Sequence, residues 1–457
     1  MATSARADIL SRALGGTALS SIPKAFGPGS RLVHAALIAA LVVAPVQAQQ
    51  AALTIDPAQS GAGAPRMDMA PNGTPVVKIA APSASGVSRN LYTDFNLDAR
   101  GLILNNSGSI VTTQLAGYVD ANGNLKASGP ARIILNEVTG ANRSMLGGYL
   151  EVAGAGADIV IANPYGISCN GCGFINAPGV TMVAGRATID GTGGITGYRV
   201  DPGNGALSIG GPGLDASGAR LALFARAIDV NAGVWADRID TAYGAGEASI
   251  AGGDIVVTAR GGGAAAAPAV ALDVAALGGM YARSIRLVGT EAGLGVNVSG
   301  TLASLDQGIS LAADGHVTIG GRVISAGVAE ISTSDRLSVS GSLFADATVA
   351  ITAAGVDASG LIAGTGNVSI VTGEVAGTGT IVAGLRRDGT LGESGDLALS
   401  SRGALTLSGN VVAAGSLVAD AASLTRGRAK SPGPAIVRSE DRRYIGLGLI
   451  LPEISAF

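Results

Sequence analysis

The sequence predicts an all-β chain wound as a right-handed parallel β-helix, a solenoid closed by a cap at its N-terminal end. Three observations carry that expectation. The first is a repeat of about twenty residues. Ile309, Leu311, Val317, Ile319, Gly321 and Val323 recur as Ala329, Ile331, Leu337, Val339, Gly341 and Leu343, and the spacing returns at Leu397, Leu399, Leu405, Leu407, Gly409 and Val411. Each repeat holds strand-length segments that are apolar at alternate positions, so one coil cannot bury its own apolar face and must stack on its neighbours. The second is composition: of 457 residues only 3% are aromatic and 14% charged, while 71 are Gly. A core of small and branched aliphatics suits a narrow interior repeated many times, and Gly without a strict triplet period argues against collagen. The third is residues 89–181, where apolar pairs such as Leu102/Leu104, Ile133/Leu135 and Ile159/Ile161 are cut by Asn, Gly or Asn-Pro. That pattern reads as short strands joined by tight turns.

In chain order, residues 1–48 read as an export signal. Arg6, Arg12, Lys24 and Arg31 precede an apolar run over 32–44, and Pro45-Val46-Gln47-Ala48 offers a small-residue cleavage site ending at Ala48. The run is too short for a membrane span, which needs about 20 residues. Residues 49–85, rich in Ala, Pro, Gly and Ser, form a leader or cap segment in which 75–79 is a candidate first edge strand. Residues 86–310 make the first β-helix domain, with a low-complexity break at 261–269. Residues 311–425 make the regular repeats, with a register slip over 349–395 and an insertion near 385–395. About sixteen turns at ~4.8 Å would give a rod about 80 Å long. Residues 426–457 drop the repeat and form a non-repeat tail.

Several motifs within residues 89–181 also resemble a known family. Asn163-Pro164-Tyr165-Gly166-Ile167 matches the Asn-Pro-Asn-Gly-Ile motif of two-partner-secretion exoproteins, the filamentous-haemagglutinin and contact-dependent-inhibition family, with Tyr at the third place. Asn122-Gly123-Asn124-Leu125 corresponds to that family's Asn-Pro-Asn-Leu, with Gly in place of Pro. The flanking ILNEVTGANRS and CNGCGFIN extend the resemblance, which covers roughly residues 85–310. It implies a secreted, adhesin-like exoprotein of a Gram-negative bacterium. The chain would pass through the periplasm to a dedicated outer-membrane transporter whose periplasmic domains recognise the N-terminal β-helix. The asparagine turns either contact that transporter or serve folding alone. A host-cell glycan or protein receptor is the further partner implied, and the stem of a contact-dependent toxin or haemolysin is the alternative. Family members are usually longer, which makes a truncated version the expectation here.

Catalytic chemistry is scarce. Cys169-Asn170-Gly171-Cys172 has the spacing of half a zinc site, a redox pair or a local disulfide. No second Cys pair exists and His316 is the sole His after residue 34, so zinc lacks ligands. In an exported chain a Cys169–Cys172 disulfide fits best. His316 sits in a turn-like Ala-Asp-Gly-His-Val, and Trp235 reads as packing against a coil or loop, with a binding-site aromatic as the alternative. A polysaccharide-degrading β-helix enzyme would need clustered carboxylates, whereas Asp314, Asp335, Asp346 and Asp357 are scattered singly. The expectation is therefore no enzyme and no cofactor. The formal net charge of −3 gives no electrostatic reason to expect nucleic acid as a partner.

Overall fold

The computed structural model describes residues 53–251, 254–259, 268–425, 428–431 and 435–439. The export signal with Ala48, most of the low-complexity run and the end of the tail lie outside them. Three parallel ladders run through the described residues and enclose one continuous aliphatic core. The longest passes from Val87–Phe95 through Ile133–Val138, Asp158–Ala162, Gly179–Val183 and ten further strands to Ala435–Ser439. This is the predicted parallel β-helix. Fourteen strands leave thirteen spacings, about 62 Å at ~4.8 Å each, shorter than the sequence estimate. The reason is that several coils exceed twenty residues: Val180 faces Leu221, and Ile239 faces Ile285.

Register in the C-terminal half follows the repeat. Ile309 faces Ala329, Leu311 faces Ile331, Val317 faces Leu337 and Val323 faces Leu343. The slip is also physical, since Val349 pairs with Val368, one residue short of twenty. The next coil pairs Val368 with Leu397 because residues 385–395 loop out between strands. The expected division at 310/311 falls inside the strand Thr301–Ala313, and the ladders run through it.

The N-terminal coils carry additions that alternation alone does not indicate. Leu53–Ile55 pairs antiparallel with Val87–Phe95, and Arg66–Met69 pairs antiparallel with Pro75–Lys78, whose other edge joins Leu102–Asn106 in parallel. A hairpin of Val111–Thr113 and Gly117–Val119 covers the outer side of Ile103 and Ala153. Both carboxylate oxygens of buried Glu151 hold it, accepting from the backbone N–H groups of Gln114 and Leu115 at 2.7 and 2.8 Å. A separate antiparallel sheet of Arg186–Ile189, Ile195–Val200, Gly246–Ala251 and Asp254–Ala259 lies over Leu135, Val160, Val183, Ala222 and Phe224. The strands beneath it are buried on both faces, which is why IIL, IVI and LALF are continuous apolar runs rather than alternating ones.

Where the chain leaves this sheet it passes a buried ion pair. Arg226 donates to both carboxylate oxygens of Glu291 at 2.8 and 3.0 Å and to the Pro202 carbonyl, while Glu291 also accepts from the Ala245 N–H. Both side chains are more than nine-tenths buried. The hydrogen bond from Arg226 holds the Glu291 carboxyl below the usual carboxylate range against the opposing effect of burial. A group with a depressed folded pKa contributes stability above its unfolded value, about 4.3, and loses it as pH falls toward the folded value. Glu291→Gln should therefore cost about 3–5 kcal/mol at neutral pH by removing the carboxylate that two Arg226 nitrogens bind in the interior. It should also flatten the acid limb of the stability curve. Urea midpoints for both proteins at neutral pH and near the carboxylate range test this, and parallel acid limbs would contradict it.

Candidate functional site: two asparagine-anchored turns

Two short turns carry the sequence motifs, and in each a buried Asn completes backbone hydrogen bonds of neighbouring coils. Asn163 follows the strand Asp158–Ala162, and Pro164, with its fixed φ, takes the first corner of a turn closed by Gly166 N–H to Asn163 O at 3.0 Å. The Asn163 side chain is fully buried. Its Oδ1 accepts from the Tyr165 N–H, and its Nδ2 donates to Asn142 O and Ser144 Oγ, all at 2.9 Å. Gly166 has φ +102°, and a Cβ there would meet Ala206 O at 2.6 Å, so no larger residue fits. Ile167 then turns inward between coils, while the Tyr165 ring is half exposed at the apex.

Asn122 caps a single 3-10 turn, Gly123–Leu125. Its Oδ1 accepts from the Asn124 N–H at 3.0 Å, and its Nδ2 donates to Ile79 O and Asn105 O. Asn124 reaches Ile79 O and Ala64 O, tying the turn to the cap segment, and Leu125 is buried in the core. The two turns therefore serve different coils, and among the described residues no hydrogen bond joins them.

Further asparagines belong to the same system, although the sequence suggests turns for them. Asn90, Asn105, Asn106 and Asn136 lie inside strands and are fully buried. Asn90 accepts from Ala80 N–H, and Asn136 accepts from the Tyr92 hydroxyl while its Nδ2 donates to Val160 O. Asn106 binds both backbone groups of Ala131 and the carbonyl of Ala155. Asn90 and Asn136 face one another in register and begin an inward column that continues as Ile161, Met182 and Leu223. The signal available was Asn at the centre of otherwise apolar strands, as in IILNEV.

Cys169 and Cys172 are buried and joined by a disulfide. Cys169 packs between Leu146 and Ile209, and Cys172 faces Leu214, so the bridge spans the corner between two ladders. His316 is exposed, its Nε2 3.3 Å from Ser338 Oγ. The scattered aspartates serve turns and exposed ion pairs: Asp314 with Ser334, Asp346 with Arg387 and Asp357 with Ser359. Among the described residues no group of three or more His, Cys, Asp or Glu could hold a metal ion.

Comparison with known proteins gives concordant results. A family model described as the TPS secretion domain matches residues 51–319. The toxin CdiA of Yersinia pestis is 44% identical over 296 residues, 65% of this chain and 9% of that protein. A tRNA nuclease CdiA of Yersinia mollaretii is 37% identical over 417 residues, 88% of this chain and 14% of that protein. The chain thus spans about a tenth of the length of these curated relatives. The crystal structure of a filamentous hemagglutinin secretion domain aligns over 85% of this chain and 99% of that one, at 26% identity and a TM-score of 0.49.

Gly123 occupies the first position of the 3-10 turn, where the sequence motif of the resembling family has Pro. A Cβ there meets nothing within 4 Å, and the preceding Asn122 is already extended, as a residue before Pro must be. Gly123→Pro should therefore raise stability by about 0.4–1 kcal/mol by restricting the unfolded chain. A lower urea midpoint for the variant would contradict this account of the turn.

Proposed function

Because the chain belongs to the TPS secretion domain family, the two-partner-secretion exoproteins, we propose that its asparagine-anchored coils are what a dedicated outer-membrane transporter recognises. Export across the outer membrane of a Gram-negative bacterium, to the medium or the cell surface, is the family's route. The observation that carries the finer reading is the Asn163–Ile167 turn, which is rigid in its backbone yet presents an exposed aromatic ring at its apex. In this reading Tyr165, carried at the apex of a turn whose backbone Asn163 fixes, is the side chain that meets the transporter. Asn122, Gly123, Asn124 and Leu125 act differently in this reading, fastening the cap so that the first coil is closed when the rest stacks on it.

The domain limits proposed are a cleaved signal ending at Ala48, a cap over 49–85, a recognition domain over 86–310 and a stem over 311–425. The stem serves either an adhesin that meets a host glycan or protein, or a contact-dependent toxin. The relatives named as toxin or tRNA nuclease favour the second as a specific alternative. We assign this chain no catalytic step of its own and no nucleic-acid partner. The nuclease named for a relative belongs to a protein of which this chain spans 14%.

The test compares two destabilised chains in cells carrying the transporter. Asn163→Ile with Gly166→Val disrupts the turn; Ile351→Ala opens a cavity in the repeats at a comparable cost of about 2–5 kcal/mol. Immunoblots of supernatant against periplasm should show the first retained or degraded and the second still secreted. Equal secretion would remove the recognition role. In the same supernatant, intact mass should show the wild-type chain two hydrogens lighter than its reduced form, and two free thiols would remove the Cys169–Cys172 bridge.

A further inference from the structure

The buried Asn163 amide fixes more than its own turn. Its Oδ1 holds the Tyr165 N–H, while its Nδ2 reaches Asn142 O and Ser144 Oγ on the neighbouring coil. Ser144 is buried, and Arg143 and Met145 on either side of it are exposed. One buried side chain therefore sets the backbone that carries three exposed ones: Arg143, Met145 at 61% exposure and Tyr165 at 50%. Arg143 lies across the turn. Its Nε is 3.1 Å from where a Cβ on Gly166 would stand, and its Nη2 donates to Ala206 O at 2.6 Å. The backbone follows the same order, Ser144 N–H to Gly166 O and Ile167 N–H to Ala206 O, so the arginine spans three successive coils. The bare glycine at 166 is what seats it. Among the described residues its one hydrogen bond is to that carbonyl and no carboxylate pairs with it, which leaves most of the guanidinium donors unused. Asp229, whose carboxyl burial and the facing Asp273 push above the usual range, feels Arg143 as the weakest of these influences.

We propose that Arg143 and Met145 complete, with Tyr165, the surface that meets the transporter, and that the matching face of its periplasmic domains is an apolar recess edged by carboxylates. The proposal deepens the recognition role given above and rests on it. Tyr, Met and Arg are the residue types over-represented where proteins bind one another. Their chemistry divides the work. The unpaired guanidinium fork takes a carboxylate through two parallel hydrogen bonds. Tyr165 and Met145 supply apolar area, the thioether fitting its shape to the partner. Because Asn163 fixes the backbone and Ala206 tethers the guanidinium, little ordering entropy is lost on contact. The other motif offers no such surface. At the Asn122 turn, Asn124 reaches Ile79 O and Ala64 O within the chain, and Leu125 is buried.

Binding of the secreted full chain to the purified transporter in lipid nanodiscs, measured across a series of salt concentrations, tests this. Affinity of the wild-type chain should fall as salt rises. Arg143→Glu should weaken binding about tenfold or more and Arg143→Gln about fivefold, and both should flatten the salt dependence. Arg143→Lys keeps the charge without the fork, so it should retain the salt dependence at reduced affinity. Met145→Ala should weaken binding about fivefold with the salt dependence intact. It removes no hydrogen bond, so it remains decisive if Arg143→Glu disturbs the turn. Binding unchanged by Arg143→Glu and by Met145→Ala would overturn this surface and leave recognition by the transporter standing. A wild-type chain that does not bind would overturn both. Weaker binding of Arg143→Gln with an unaltered salt dependence would make Arg143 a strap for the turn alone and overturn its contact role.

Discussion

Each coil must return to within one strand spacing of the coil before it, because the strands of its parallel ladders find their backbone hydrogen-bond partners on the neighbouring coils. That requirement governs which side chains the interior can take. In the regular half the inward columns are aliphatic, as in Ile309, Ala329, Val349 and Val368. Glycines such as Gly321, Gly341 and Gly360 stack at one corner where any Cβ would strike the carbonyl of the coil below. A departure from the ladder leaves backbone groups without partners in the interior, and a buried unpaired group costs about 1–3 kcal/mol. The N-terminal coils make many such departures, for the cap, the hairpin and the antiparallel sheet. Asparagine, which offers both a donor and an acceptor on a short stem, fills the gaps at positions 90, 105, 106, 122, 136 and 163. Glu151 and the Arg226–Glu291 pair do the same work at the edges of the two added sheets.

This division explains which features were legible in the sequence. The twenty-residue repeat gave the C-terminal register residue by residue, because one solvent face and one core face enforce alternation there. Even the slip over 349–395 corresponded to a shorter coil followed by an outward loop. The antiparallel sheet was not legible: it turns the outer face of Leu135, Val160 and Phe224 into a second interior, and a strand buried twice loses its period. The buried asparagines were misread for a related reason. Local propensity associates Asn with turns, and only the partner coil shows that Asn90 and Asn136 sit mid-strand with backbone groups to satisfy. Asn122 and Asn163 sit in local turns, as propensity indicates, but their ties to neighbouring coils depend on residues 17 to 43 positions away.

The N-terminal coils are thus closed at one end and cross-tied by buried asparagines, while the later coils are tied by stacking and by single hydroxyls such as Ser325, Thr333 and Ser401. In a family whose members cross the outer membrane, such an asymmetry gives a direction to folding. The tied coils can form a template once they emerge, and each later coil adds by burying apolar area on the one before it. The retained polar network sets register at the start of the rod, where an error would propagate through every following coil.

Pulsed hydrogen exchange during refolding tests this account most directly. The chain is diluted from denaturant, labelled at intervals, and read by mass spectrometry of its peptides. Protection should appear first in peptides from Val87–Phe95, Ile133–Val138 and Asp158–Ala162 and spread later to the strands between residues 317 and 421. Protection that arises first in the repeats, or everywhere at once, would contradict it.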